Sequence, residues 1–259
     1  MKTFLAVCGR PMLLILAGVI TLVLAGALLV GIGHPTARAA DSQLPVPPPA
    51  VDEPLAGTSG SETAILSGGC FWGMQLVFQH VQGVREVLAG YTGGAAQTAH
   101  YGDVSTGTTG HAESIEITFD PHVVSYGTLL RIYFAVATDP TELDYQGPDE
   151  GSQYRGEIWP VNGAQRHIAE SYVRQLAAAH VFRAPIVTRI DAARPFYPAE
   201  SYHQNFATAH PYYPYIMMFD APKAAALAKM FPRLYLPRAT LVATSADTAD
   251  RRFGPHANQ

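Results

Sequence analysis

Cysteine is scarce in this chain: its 259 residues carry two, Cys8 and Cys70. Cys8 lies in an N-terminal apolar segment, so the remainder holds a single thiol and can neither staple itself with an internal disulfide nor build a thiolate metal cluster. Charge is sparse as well. Seventeen Lys plus Arg against twenty-one Asp plus Glu leave a formal charge of -4, without the basic surplus that nucleic-acid binding requires. The ten histidines show no HExxH or paired Cys/His spacing, and neither a GxxxxGK[ST] loop nor a GxGxxG fingerprint is present. No metal, nucleotide or other cofactor is therefore expected. What is abundant is apolar. With 48% hydrophobic and 10% aromatic residues the chain can bury a sizeable core, and its length suits one catalytic domain plus extensions.

The N-terminus opens with Lys2 and Arg10, runs apolar from about Met12 to Ile32, and closes on Ala37-Arg38-Ala39. That pattern reads as an export signal over residues 1–39. The run also approaches the roughly 20 residues that span a bilayer, so an uncleaved anchor over residues 11–32 is an open alternative. Either outcome exports the body, to the periplasm or the envelope. Cys8 precedes the apolar run instead of ending it, which excludes a lipoprotein-type N-terminus. Residues 40–62 are rich in Pro, Gly and Ser, including Pro47-Pro48-Pro49, and read as a flexible linker. Residues 232–259 read as a loosely ordered tail. Residues 63–231 remain as one domain without internal repeats.

Within that domain, Thr63 to Leu66 is a short strand leading through Gly68-Gly69 into a helix over Met74 to Val81. Val84 to Tyr91 and Ala112 to Phe119 read as strands, the second with Ile115, Ile117 and Phe119 on one face. Leu129, Leu130, Tyr133 and Phe134 form a helical stripe opened by Ser125. An alanine-rich helix spans Ala164 to Ala179, and Ile186 to Ile190 is a further strand. Interleaved strands and helices without repeated βαβ units indicate a two-layer α/β sandwich. The glycine-rich, aperiodic stretches Thr92 to Gly110 and Asp139 to Gln153 are the expected site-bearing loops.

Chemistry concentrates at Gly68-Gly69-Cys70-Phe71-Trp72-Gly73, where the first strand ends and a helix begins. A thiol there lies near unpaired amide N–H groups, which favour thiolate. Two consecutive aromatics cannot both face a helix's core side, so at least one of Phe71 and Trp72 is expected to line a pocket. A cysteine hydrolase using His111 or His203 as base fits the same residues. So does a non-catalytic binding protein engaging partners through Pro211-Tyr212-Tyr213-Pro214.

The segment Gly69 to Gly73 resembles the signature of the A-type peptide-methionine sulfoxide reductases. Further blocks match in family order: Gly90-Tyr91-Thr92-Gly93-Gly94, Thr109-Gly110-His111-Ala112-Glu113, Gln146-Gly147-Pro148-Asp149, Gly151-Ser152-Gln153-Tyr154-Arg155 and Tyr202-His203-Gln204-Asn205. The resemblance implies a mixed sheet with packed helices around a ferredoxin-like core. It implies Cys70 as nucleophile, Glu113 as the acid that protonates the sulfoxide oxygen, and Tyr101, Tyr154 and Asp149 as the other polar residues of the site. Phe71 and Trp72 would receive the S-methyl group. The implied substrates are methionine-S-sulfoxide residues of oxidised proteins or free methionine sulfoxide. Many relatives carry a recycling cysteine, but Ser105 and the tail from Pro232 offer none. The expectation is a one-cysteine cycle in which an external thiol, a thioredoxin-like protein or a small thiol, resolves a Cys70 sulfenic acid.

Overall fold

A strand that ends in two glycines and a cysteine sets the architecture. β1 (Glu62–Ser67) runs into Gly69, whose φ of +91° reverses the chain, and Cys70 becomes the N-cap of α1 (Phe71–Gln79). β2 (Val84–Thr92), the one-turn α2 (Tyr101–Val104) and β3 (Ala112–Phe119) follow. α3 (Tyr126–Ile132) starts where Ser125 accepts the Thr128 N–H, and it continues as a π turn through Ala137. A small hairpin of β4 (Tyr145–Gln146) and β5 (Asp149–Glu150) precedes β6 (Glu157–Trp159). α4 (Gly163–Ala178) is capped by Asn162, and β7 (Arg189–Ile190), β8 (Tyr197–Pro198), α5 (Phe206–Ala209) and α6 (Ala221–Met230) complete the order. This computed structural model describes residues 46–243. Residues 1–45, which hold the expected export segment and Cys8, and residues 244–259 lie outside the described residues.

The six-stranded sheet has the order β7-β6-β1-β3-β2-β8 and is mixed: every neighbouring pair is antiparallel except β6 and β7, which α4 connects as one βαβ unit. Period-two alternation on β3 puts Ile115, Ile117 and Phe119 on the core face. They pack in one contiguous core with Phe71, Met74, Val77 and Phe78 of α1, Leu129 and Leu130 of α3, and Tyr172 and Leu176 of α4. The expected two-layer α/β sandwich is the observed one. No helix among the described residues is long and apolar enough to cross a membrane.

Three readings need correction. The strand expected over Ile186 to Ile190 shrinks to Arg189–Ile190, because the Val187 N–H donates to Pro140 O, a loop carbonyl. The supposed linker is bound down from Val46 onward. Polyproline carbonyls have no partners within their own segment, and here Tyr172 donates to Pro47 O (2.6 Å), Gln175 to Pro48 O (2.9 Å) and Arg131 to Val46 O (3.0 Å). The tail is also docked as far as it is described: Leu236 N–H donates to His80 O, and Asn205 pairs with both backbone groups of Val242. Side chains on distant elements make these contacts, so no local periodicity announced them.

Asp52 anchors the N-terminal strap by accepting from the Gly127 N–H (2.9 Å) and the Ser125 hydroxyl (2.6 Å) at the start of α3. Asp52→Ala should lower the unfolding free energy by about 1–2 kcal/mol in urea denaturation. An unchanged midpoint would mean the strap is not held in solution.

Candidate active site

Because Cys70 is the N-cap of α1, the first backbone N–H groups of the helix have no intrahelical partner. Glu113 takes one of them. Its Oε2 accepts from the Phe71 N–H at 3.0 Å. Alternation along β3 explains the reach: Glu113 shares the face of Ile115 and Ile117, so it points under α1, and it is only 3% exposed. Burial pushes its carboxyl up to about 8, assisted by the charge of Asp149 and opposed by the Phe71 N–H. At neutral pH Glu113 is mostly protonated.

The remaining groups arrive by loops. The Gly69 N–H donates to Tyr154 O (3.1 Å), which ties the Tyr154 segment to the cysteine turn. A Cβ at Gly69 would stand 2.7 Å from Gln146 Cβ, so the missing side chain lets the β4–β5 hairpin dock and bring Asp149 to the site. Asp149 accepts a short hydrogen bond from the Tyr215 hydroxyl. Burial raises its carboxyl, against the opposing influence of Tyr215 and Lys223. Glu200 holds Tyr101, accepting from its backbone N–H (2.9 Å), and also accepts from the Tyr91 hydroxyl (2.9 Å). Arg155, buried against Glu157 at 2.6 Å, donates to the carbonyls of Gly110, His111 and Ser152 and so clamps the loops on either side of Glu113 and Tyr154. The phenols of Tyr101 and Tyr154 are raised first by burial and then by the charge of Glu113, so both remain donors.

Seven residues singled out in sequence thus come together: Cys70, Glu113, Tyr101, Tyr154, Asp149, Phe71 and Trp72. The two aromatics divide the work. Phe71 is buried, its ring 5.0 Å from that of His203, whereas Trp72 is half-buried and stacks on Phe206 at 3.9 Å. The thiolate expectation is reversed. Partial burial pushes the Cys70 thiol well up, and Glu113, Asp220 and Asp149 push the same way where they are ionised, outweighing the Trp72 N–H that favours the anion.

The histidine-base alternative loses support at His111, whereas His203 keeps a buried Nε2 with no hydrogen-bond partner among the described residues. His111 Nδ1 accepts from the Gly94 N–H (3.2 Å), so Nε2 carries the proton and donates to Ala95 O (2.9 Å); both nitrogens are engaged by backbone. His203 Nδ1 accepts from Trp72 Nε1 (3.2 Å) and orients the indole. The Pro211–Pro214 segment belongs to the rim: Tyr213 meets Trp72 edge-on at 6.3 Å. Sequence reasoning missed Glu200, Tyr215 and Asp220, which reach the site from chain segments with no motif of their own.

Residues 62–234 match the sequence profile described as peptide methionine sulfoxide reductase. The chain belongs to this family. A relative from Mesorhizobium japonicum, named peptide methionine sulfoxide reductase MsrA 2, is 55% identical over 188 residues, covering 73% of this chain and 96% of its own. One of the same name from Synechocystis is 46% identical, over 69% of this chain and 84% of its own. Among solved structures, methionine sulfoxide reductase A of Corynebacterium diphtheriae is 32% identical with a TM-score of 0.50, over 68% of this chain and 92% of that one. Reduced Mxr1 of Saccharomyces cerevisiae is 26% identical with a TM-score of 0.53, over 62% and 94%. The reductase is an oxidoreductase that returns methionine sulfoxide to methionine, a protein-repair activity.

The buried acid of the reductase has a thermodynamic signature. A Glu113 value of about 8, above its unfolded value of about 4.5, makes the protonated form part of the folded state. That stability is fully present below pH 4.5 and is lost as pH rises toward 8. Glu113→Gln carries no such loss. By pH 9 it should be more stable than the wild type by on the order of 5 kcal/mol, with the gap closing below pH 5. A pH-independent gap would contradict the burial of a neutral carboxyl.

Proposed function

We propose that the reductase acts on methionine-S-sulfoxide through a one-cysteine cycle with Cys70 as nucleophile and Glu113 as acid. The observation that carries the reading is the Glu113 carboxyl, buried and protonated at neutral pH, bonded to the N–H of the residue after Cys70. Oxide is a poor leaving group, so sulfoxide reduction needs a proton delivered to oxygen while a nucleophile attacks sulfur. Cys70 Sγ bonds to the sulfoxide sulfur as Glu113 protonates the oxygen, with Tyr101 and Tyr154 donating to the developing negative charge. The oxygen ends on Cys70 as a sulfenic acid, methionine departs, and the proton released by the thiol restores Glu113. Trp72 and Phe71 supply the apolar contact for the S-methyl group.

The second half follows from cysteine content. Cys8 stands outside the catalytic segment, so an external thiol attacks the sulfenic acid, releasing water and leaving a mixed disulfide; a second thiol then frees Cys70 and carries away a disulfide. A thioredoxin-like dithiol or a small thiol meets this need. The half-exposed Trp72 and the exposed Tyr202, Tyr212 and Tyr213 suit methionine sulfoxide side chains presented on oxidised proteins. We place the body outside the cytoplasm, in the periplasm or envelope, on the charged, apolar and Ala-Arg-Ala pattern of residues 1–39, cleaved or retained as an anchor.

Separated R and S sulfoxides distinguish this reading from hydrolysis or mere binding. Cys70→Ser should abolish S-specific turnover, and Glu113→Gln should lower it by about 10²–10⁴-fold. Wild-type kcat should fall as pH rises through about 8, where Glu113 loses its proton. Equal turnover by wild type and Cys70→Ser would end the assignment.

Treated with sulfoxide without reductant, the full chain should gain one oxygen at Cys70, trappable by dimedone. An intramolecular Cys8–Cys70 disulfide in the mass spectrum would overturn the one-cysteine cycle.

A further inference from the structure

Asp220 is a buried carboxyl that the cycle above leaves unused. It occupies the N-cap of α6, the position where aspartate ordinarily accepts a hydrogen bond from its own helix, yet its side chain makes no capping bond. Instead it turns toward α1. A Cβ at Gly73 would stand 2.2 Å from Asp220 Oδ1 and 2.8 Å from its Cγ, so the carboxyl fills the space that a side chain at Gly73 would take. Gly73 is three residues beyond Cys70 and therefore on the same face of the first turn of α1. Asp220 is 1% exposed, and its Oδ2 has no hydrogen-bond partner among the described residues. The chain reaches this place through a π turn, Ile216–Asp220, which interrupts regular helix geometry immediately before α6.

We propose that Asp220 is a positioning residue for the nucleophile: a carboxylate held against the first turn of α1 that disfavours ionisation of the Cys70 thiol. This rests on Cys70 being the nucleophile. The surrounding charges support it. Burial pushes the Asp220 carboxyl up to about 7, opposed by Lys223 on α6 and assisted by Asp149, so the carboxylate populates from neutral pH upward. Of the other carboxyls facing Cys70, Glu113 is protonated over much of that range, and burial raises Asp149 against the opposing influence of Tyr215 and Lys223. The Tyr215 phenol, raised by burial and by the charges around it, stays neutral throughout. As pH rises, the Asp220 anion therefore opposes the thiolate in a site where water screens little. A thiol is also a poorer target for peroxide than a thiolate, so the same carboxylate protects Cys70 from irreversible oxidation between turnovers.

The test reads the thiol, not turnover. Alkylation of Cys70 by iodoacetamide is followed from pH 6 to 11 in the full chain, with peptide mass spectrometry separating Cys70 from Cys8. Asp220→Asn should move the alkylation midpoint down by at least about one pH unit, making alkylation at pH 7.5 about tenfold faster. Cys70 should become more prone to peroxide-driven sulfinic acid formation in parallel. A midpoint equal to or above that of the wild type overturns the proposal, since a carboxyl that merely fills space would leave the titration unmoved. Should Asp220→Asn fail to fold, Asp220→Ser is read by the same criterion. Loss of the nucleophile assignment is seen separately, as retained turnover in Cys70→Ser.

Discussion

The hydrogen bond from the Phe71 N–H to Glu113 joins the first helix to the central strand and sets the chemistry of the site. It satisfies an otherwise unpartnered amide of α1 and holds a carboxyl under the helix without charging it. Burial and this single donor act in opposite senses on the Glu113 proton, and burial wins. A carboxylate with several donors at the same place would be ionised and useless as an acid. The sheet makes the arrangement possible: β3 lies between β1 and β2, and Glu113 stands opposite Tyr91 of β2, one residue before the β1 pairing begins at Ser114, where its carboxyl is buried under α1 and held by the Phe71 N–H. Little freedom remains for the side chain.

Around that contact the direct hydrogen bonds come from neutral donors, and aromatic packing completes the site. Asp149 is paired with the Tyr215 phenol, Tyr101 is positioned through its own backbone by Glu200, and Trp72 is oriented by His203. The guanidinium nearest the catalytic loops, Arg155, is committed to Glu157 and to three backbone carbonyls. Its charge therefore serves the scaffold. Neutral carboxyl and phenol donors around the thiol suit a neutral, strongly dipolar substrate such as a sulfoxide.

Several elements that depend on local pattern were legible in the sequence, although the strand read over Ile186 to Ile190 was not. Alternation over Ala112 to Phe119 marked β3 to its ends, and Ser125 marked the start of α3. The glycines beside Cys70 marked the strand-to-helix turn, and the ordered family blocks picked out Tyr101, Asp149 and Tyr154 from among many similar side chains. Features created by distant contacts stayed hidden. The strap from Val46 holds through side chains of α3 and α4, and Asp220 acts through a vacancy at Gly73, which in sequence is merely another glycine. The thiolate expectation failed for the same reason: a helix start was visible in the sequence, but the carboxyls that converge on it from β3, the hairpin and α6 were not.

That reversal bears on how a lone cysteine is reset. With no recycling thiol built into the chain beside Cys70, the C-terminal segment that closes over α1 offers a phenol and a carboxyl, Tyr215 and Asp220. Neither can form a disulfide, so in the proposed cycle the sulfenic acid waits for a thiol from outside. Such a wait is hazardous for a readily ionised cysteine, because excess oxidant drives the thiolate and its sulfenate onward to irreversible products. A site that disfavours the sulfur anion is therefore the arrangement a one-cysteine reductase requires. Its cost falls on the first step, where the acid at Glu113 offsets a weakly ionised nucleophile by making the oxygen easier to remove.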